Sequence, residues 1–231
     1  MDTRGHRLGE MTWTDIADRR GVILAMPVGS CEQHGPHLPL DTDTRIAIAV
    51  AEGLAGQRSD VLVGPAVTIS ASGEHAGFPG TLSFGVDVVE AMLVELGRSA
   101  DWAVGVVFVN GHGGNAAAVT AAVRHLTSEG RHVLAWWPRP SESAPVDAHA
   151  GRMETSMMLA IAPELVRTEA AIAGNMTALP ALMPALRAGG VAAVSPNGVL
   201  GDPSGASAGE GAQLLAALVA DAVAQVDAWR R

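Results

Sequence analysis

The sequence predicts an α/β fold, a three-layer α/β/α sandwich built around a mainly parallel sheet. Short apolar segments rich in β-branched residues alternate along the chain with longer, alanine-rich segments of helical character. That alternation is typical of β-α-β units with right-handed crossovers. Polar clusters also follow several of the apolar segments, which is where ligands bind in open parallel sheets.

Four apolar segments are predicted to be strands, because they are short and rich in valine, isoleucine and leucine, as buried parallel strands are. The clearest is 104–109, which reads Val-Gly-Val-Val-Phe-Val. The predicted strands are, in chain order, 22–28, 61–67, 104–109 and 132–136.

Helices are predicted between and after these strands, where alanine, leucine and other good helix formers dominate. They cover 44–56, 87–100, 116–128, 154–162 and 208–229. Gly130 and Pro163 end two of them, since glycine favours a helix C-terminus and proline cannot continue a helix. The stretch 180–203 is rich in proline and glycine and is predicted to be a long loop at a functional site or an interface.

The chain has 231 residues, with no evident linker or internal repeat. We therefore predict a single domain over residues 1–231. The apolar runs are too short to span a bilayer and the first residues lead into no apolar signal region, so we expect a cytoplasmic protein without a membrane partner. A single cysteine excludes an internal disulfide framework and a cysteine-only metal site.

The charged residues exclude several functions. The net charge is -9, and the 15 basic residues are all arginines. Without lysine the chain cannot form a lysine Schiff base or a Walker-A phosphate loop. The acidic balance argues against nucleic acid as a partner. Tyrosine is absent as well, so no phenol can serve as an acid or a nucleophile.

Carboxylate and imidazole side chains cluster after the first, third and fourth predicted strands. The candidates are Glu32, His34, Asp43, His112, His149 and Glu154. These ligand types suit Zn²⁺, Mn²⁺ or Fe²⁺, and burying so many ionisable groups without a cation would be costly. The sequence therefore predicts one or two divalent metal ions. Taken singly, a residue of this kind is more often a hydrogen-bonding loop residue than a metal ligand.

Four blocks of the sequence together resemble the creatininase (creatinine amidohydrolase) family. They occur in the family's order and span most of the chain from about Val22 to Thr155. The blocks are Glu-Gln-His-Gly-Pro-His-Leu-Pro with Asp-Thr-Asp in 32–43, Glu-His with Phe-Pro-Gly-Thr-Leu-Ser in 74–83, Asn-Gly-His-Gly-Gly-Asn in 110–115, and His-Ala-Gly-Arg-Met-Glu-Thr-Ser in 149–156. The resemblance implies a creatininase-like fold and metal-dependent amide hydrolysis.

The resemblance also implies roles for individual residues. The metal ligands that it implies are Glu32, His34, Asp43 and His112. Asp43 would bridge two ions, and His149 matches the family's catalytic histidine. Creatinine-hydrolysing members have a glutamate where this chain has Gly114. This difference argues against a strict creatininase activity. Glu154 is the substitute in reach, as a metal ligand, a proton shuttle or both.

Within the family, the sequence is most similar to a peptidase that removes a C-terminal Val-Tyr dipeptide from a modified ribosomal precursor peptide. Three alternatives stay open: the same chemistry on a small amide (creatinine, or a formamide in flavin or deazaflavin synthesis), a non-catalytic scaffold of the same fold, and a phosphate-binding glycine turn. The predicted substrate-contacting residues are His75, Trp136, Trp137 and Arg152. For each, an ordinary loop, packing or surface role is the alternative. The resemblance also implies a ring-like homo-oligomer such as a hexamer.

Overall fold

A four-stranded, all-parallel sheet forms the middle layer of the computed structural model, which describes residues 5–138 and 147–230. The strands are β1 (Ile23–Val28), β2 (Val61–Val63), β3 (Gly105–Asn110) and β4 (Val133–Trp136). Their spatial order is β2-β1-β3-β4. In the register of β1, Ile23 lies opposite Val61 on one side and Gly105 on the other. The predicted α/β class and parallel sheet are confirmed.

Seven α-helices accompany the sheet in the described parts of the chain. They are α1 (Trp13–Ala17), α2 (Thr42–Gln57), α3 (Val86–Ser99), α4 (Ala116–Ser128), α5 (Arg152–Ile161), α6 (Leu179–Gly189) and α7 (Ala208–Trp229). All five predicted helices are present, with ends that differ by no more than two residues from the prediction. The prediction of one domain over 1–231 includes residues outside the described ranges and stays a prediction.

The core lies on both faces of the sheet. Successive side chains of a strand point to opposite faces, so Leu24 and Met26 of β1 pack with apolar residues of α3 and α4. Ile23 and Ala25 face the other way and pack with residues of α2 and α7. Every residue of β1 and β3 is buried, which explains why these strands read as continuous apolar runs.

The prediction of a long loop over 180–203 is wrong. Helix α6 and a short 3-10 helix (Val191–Ala193) occupy the first half of that stretch. Pro180 lies in the first turn of α6, where its missing N–H leaves no hydrogen bond unmade. Leu182 is buried against Leu200, and this packing stabilises the helix despite Pro184 in its interior.

Strand β2 is shorter than the predicted 61–67. It ends at Val63, because Pro65 has no N–H to donate to a neighbouring strand. Val67 then pairs with Val28 in an isolated bridge, so the chain still runs beside β1.

Helix α7 is the one helix in the described ranges that is long and apolar enough to be compared with a membrane span. The evidence is weak, because core helices of soluble proteins pass the same test. In the structure α7 packs against α5, α2 and β4.

The strand order places a crevice at the carboxyl ends of β1 and β3. The chain leaves β1 toward β2 on one side of the sheet and later enters β3 on the other side. Ligands of open α/β sheets bind outside the carboxyl ends of strands at such a reversal. The polar residues that follow β1 and β3 lie at this point.

Candidate metal centre

The first turn of α2 lies close to the ends of β1 and β3, and two features of the sequence permit this. Thr44 of α2 exchanges two hydrogen bonds with the backbone of Ser30: its Oγ1 donates to the Ser30 carbonyl at 2.9 Å and accepts from the Ser30 N–H at 3.2 Å. Gly111 follows β3, and a Cβ at this residue would lie 2.6 Å from the carbonyl oxygen of Asp43. These features hold Asp43, one residue before Thr44, beside the ends of the two strands.

The carboxylate of Asp43 faces two imidazoles with its two different oxygens. Oδ1 lies 3.0 Å from Nε2 of His34, and Oδ2 lies 2.9 Å from Nδ1 of His112. Oδ2 also accepts a hydrogen bond from Oγ of Ser30 at 2.9 Å. All of these side chains are buried. The geometry is that of a carboxylate placed between two cation positions.

Glu32 is fully buried, and neither of its carboxylate oxygens has a hydrogen-bond partner among the described residues. Oε2 lies 3.1 Å from Nε2 of His112, and Oε1 lies 3.2 Å from Nε2 of His75. Burial raises the pKa of Glu32 to about 8. A buried carboxylate without donors is costly unless a cation binds it, so Glu32 fits the role of a metal ligand.

Three sets of three side chains have ligand atoms that, within each set, lie within 4.8 Å of one another. They are Glu32, Asp43 and His112, then His34, His149 and Glu154, and finally Glu32, His75 and His149. Asp43 contacts His34 and so connects the first two sets. The residues present therefore fit one or two divalent ions, with imidazole nitrogen and carboxylate oxygen as donors.

Two imidazoles of the cluster hold protons at neutral pH, and the carboxylate between them is ionised. Burial alone would lower the pKa of His34 and of His112, but the charge and hydrogen bond of Asp43 outweigh it and raise the two values to about 10 and about 9. Burial alone would raise the pKa of Asp43, but His34 and His112 hold it well below its usual value. Asp43 is thus ionised at neutral pH, while the two rings are protonated.

We expect metal affinity to increase with pH up to about pH 10, well beyond the ordinary histidine pKa of about 6.5. Below their raised pKa values His34 and His112 are protonated, so a cation must displace those protons; above these values the rings are free to bind it. Titration of metal-free protein with Mn²⁺, by calorimetry at about pH 7 in two buffers of different ionisation enthalpy, counts the protons released. Binding without proton release would contradict the expectation.

A side chain at position 114, where the sequence resemblance implies a glutamate in some members, has no room in this chain. A Cβ on Gly114 would lie 2.2 Å from Oε1 of Glu74 and 2.5 Å from the carbonyl oxygen of Ala71. Oε1 of Glu74 lies 3.5 Å from Nε2 of His112. A carboxylate from the second block therefore fills the space beside His112 that a side chain at position 114 would need.

Gly114→Ala is expected to lower the free energy of unfolding by about 1–3 kcal/mol, the usual cost of overpacking. The Glu74 side chain can move away, but the Ala71 carbonyl is backbone and cannot. Gly113→Ala is the matched control, since a Cβ there meets nothing within 4 Å. Urea denaturation of both variants measures the difference, and equal midpoints would show that the space is not filled as described.

His75 lies inside the cluster rather than in a solvated loop. Its ring is 4% exposed, and its centroid lies 4.5 Å from that of His149. Sequence reasoning did not single out Gln33, whose side-chain nitrogen lies 2.8 Å from Nδ1 of His75 and 3.0 Å from Nε2 of His149. Gln33 follows the predicted ligand Glu32 directly in the sequence. Only the structure shows that it also contacts His75 of the second block and His149 of the fourth.

The other predicted substrate contacts lie in different surroundings. Trp136 is 1% exposed in the core beside α7, and its Nε1 donates to Oδ2 of Asp221 at 2.7 Å, so the structure does not bring it to the cluster. Nε of Arg152 lies 2.8 Å from Oε2 of Glu210 in an ion pair near the start of α5. Trp137 is partly exposed at the end of β4.

The fold and this buried cluster are those of a metal-dependent hydrolase of the creatininase class. A family model described as creatinine amidohydrolase (creatininase) matches residues 9–226. The chain therefore belongs to the creatininase family, and the resemblance in its four sequence blocks is confirmed.

Individual relatives and solved structures show which members of the family this chain is similar to. The chain is 50% identical over 214 residues to the mycofactocin precursor peptide peptidase of Mycolicibacterium smegmatis, covering 90% of this chain and 85% of that protein. A solved manganese form of creatininase has a TM-score of 0.77 at 24% identity, over 96% of this chain and 97% of that one. A Zn-Zn type of a mutant creatininase has a TM-score of 0.77 at 24% identity, over 95% of this chain and 96% of that one. The two structures show that the fold is shared.

Proposed function

We propose that this protein is a metal-dependent peptidase that releases a C-terminal Val-Tyr dipeptide from a modified ribosomal precursor peptide in mycofactocin biosynthesis. The observation that carries the chemistry is the pair of buried ligand sets connected by Asp43 at the ends of β1 and β3. The substrate class follows from the 50% identity with a peptidase of that name.

The ligands would divide between two positions. Glu32, Asp43 and His112 would hold one ion. His34 and Glu154 would hold a second, with Asp43, which contacts His34, in place of His149 as the third ligand. Divalent ions at these positions, Fe²⁺, Zn²⁺ or Mn²⁺, would supply an activated water and polarise the carbonyl of the scissile amide. Related creatininases in Mn and Zn-Zn forms support this choice of ions.

His149 is placed to move a proton during cleavage. Its Nε2 donates to the backbone carbonyl of Gln33 at 2.8 Å, while its Nδ1 faces the cluster, 4.0 Å from Oε1 of Glu32. Burial and the nearby charge of His34 hold the pKa of His149 well below its ordinary value, so the ring is neutral. A neutral imidazole can accept a proton and pass it to the leaving amine.

Glu154 replaces the carboxylate that position 114 cannot supply. Its Oε2 accepts the backbone N–H of Ala150 at 2.6 Å, which holds the side chain next to His34 and His149. Burial raises the pKa of Glu154 to about 7, so it can also carry a proton near neutral pH. We assign it as a ligand of the second ion that exchanges a proton with His149.

The substrate's terminal carboxylate needs a positive or N–H partner, and the chain offers no lysine for this. Arg152 already pairs with Glu210, so it could serve only by exchanging that carboxylate for the peptide's. Divalent ions, when bound, and the backbone N–H groups of the Gly111–Gly114 turn would be the other partners.

The test is incubation of metal-loaded protein with the modified precursor peptide, followed by mass spectrometry. We expect an intact Val-Tyr dipeptide, little hydrolysis of creatinine, and a sharp loss of cleavage when the peptide C-terminus is amidated. Efficient creatinine hydrolysis without peptide cleavage would contradict the proposed peptidase activity and support hydrolysis of a small amide. Undiminished cleavage of the amidated peptide would contradict recognition of the terminal carboxylate, but it would be consistent with the proposed peptidase activity.

We further propose a cytoplasmic homo-oligomer, such as a hexamer. Large apolar side chains are exposed along the segment 82–88, which leads into the first turn of α3. They are Leu82, Phe84, Val86 and Val88, each between 40% and 54% exposed. Burying such a surface between subunits would be favourable, and light scattering of the purified protein measures the subunit number.

A further inference from the structure

The amide of Gln33 is held in one orientation by two backbone groups. Its Oε1 accepts the N–H of Gly35 at 2.8 Å, and its Nε2 donates to the carbonyl of Gly198 at 3.1 Å. An N–H can only donate and a carbonyl can only accept, so the amide cannot be turned over without losing both bonds. Gln33 is 6% exposed, and water cannot readily replace them.

This orientation determines which nitrogen of His75 carries a proton. The Gln33 amide nitrogen, a donor only, lies 2.8 Å from Nδ1 of His75. Nδ1 must therefore accept, and the proton of the neutral ring is on Nε2. Nε2 lies 3.2 Å from Oε1 of Glu32. His75 thus turns an N–H, and not a lone pair, toward the Glu32 carboxylate.

The same residue determines the tautomer of His149 through its backbone. The carbonyl of Gln33 lies 2.8 Å from Nε2 of His149 and can only accept, so Nε2 carries the proton. Nε2 of His149 also lies 3.0 Å from the Gln33 amide nitrogen. That amide has only two protons, which the Gly198 carbonyl and Nδ1 of His75 accept, so the carbonyl of Gln33 determines the His149 tautomer. Nδ1 of His149 therefore keeps its lone pair, 4.0 Å from Oε1 of Glu32.

We propose that Gln33 is a positioning residue that sets the tautomers of two buried histidines and so separates their roles. His75 then turns an N–H toward Glu32 and does not bind metal, although its ring lies within ligand distance of the cluster. His149 becomes the ring with a free lone pair toward the reacting groups. The catalytic consequence rests on the proposed function, whereas the tautomers themselves do not.

Nuclear magnetic resonance of protein carrying isotope-labelled histidine tests the assignment directly in the unaltered chain. Protonated and unprotonated ring nitrogens differ in chemical shift, and His75→Gln and His149→Gln identify the signals by their loss. We expect both rings to be neutral with the proton on Nε2, and we expect added Zn²⁺ to leave His75 Nε2 protonated. A proton on Nδ1 of His75, or loss of its Nε2 proton on addition of Zn²⁺, would overturn the proposal.

Gln33→Glu extends the test, because glutamate keeps the shape of the side chain and lacks the donor. A carboxylate at this position would accept a proton from His75, so we expect the proton to move from Nε2 to Nδ1. We also expect kcat on the peptide to decrease by about 10–100-fold, the usual effect of residues that orient ligands, with a smaller change in KM.

Gln57→Glu, exposed at the end of α2, introduces the same charge away from the cluster and is the matched control. An unchanged His75 tautomer in a folded Gln33→Glu variant would contradict the proposal. If that variant does not fold, the measurement on the unaltered chain decides. The readout of the tautomers needs no substrate. The tautomer assignment can therefore be contradicted while the proposed peptidase activity is supported, and the peptidase activity can be contradicted while the tautomer assignment is supported.

Discussion

Asp43→Ala is expected to remove metal from both positions at once, a larger loss than any other single ligand change should cause. The reason is that its two oxygens face His34 at 3.0 Å and His112 at 2.9 Å, so that one side chain serves both ligand sets. We expect apparent affinity to decrease by more than the roughly 10–100-fold that the loss of an outer-shell partner costs. Elemental analysis of protein purified without chelator, and calorimetric titration, measure the effect.

Asp41→Ala is the matched control for this experiment. Asp41 precedes α2 by one residue and pairs with Arg45 at 2.8 Å, outside the cluster. Its removal costs the same charge and should leave the metal content unchanged. Asp43→Asn, which keeps the shape of the side chain, shows whether any loss reflects the ligand or the fold. Full metal content in a folded Asp43→Ala variant would refute the bridging role.

His149→Ala is expected to lower the rate of peptide cleavage by about 10²–10⁴-fold, the usual contribution of general acid–base catalysis, with metal content nearly intact. The ring lies among the ligands, but its proposed work is proton transfer through Nδ1, which faces Glu32 at 4.0 Å. Without His149, Glu32, Asp43 and His112 would still form one ligand set. His34 and Glu154, with Asp43 in contact with His34, would be left for a second ion. Single-turnover kinetics and elemental analysis of the same preparation separate the two effects.

His125→Ala provides the comparison for that variant. His125 is a partly exposed histidine of α4 that lies 3.1 Å from Glu129, far from the cluster in the fold. It should retain both full activity and full metal content. A His149→Ala protein that is folded but free of metal would show that His149 is a ligand, and its role as a proton carrier would be wrong.

Much of the fold could be predicted from the sequence because its signals are local. The continuous apolar run of β3 indicates a strand buried on both faces, and the helix over 116–128 begins and ends where predicted. The loop prediction for 180–203 was wrong because it, too, relied on local signals alone. Its prolines and glycines favour a loop locally, while the burial of Leu182 against Leu200 stabilises a helix through a contact distant in sequence.

The candidate ligands were also found in the sequence, since the acids and histidines follow strands whose carboxyl ends must meet at one edge of a parallel sheet. The sequence thus determined the fold class, the chemical type of the site and the residues that could form it. Only the tertiary structure decided how they act: that Asp43 faces two rings, that Glu74 fills the space at Gly114, that Trp136 belongs to the core, and that Gln33 contacts both His75 and His149. The physical reason is that tautomers, bridging oxygens and close approaches depend on distances of about 3 Å between residues far apart in the chain, and no local pattern encodes such distances.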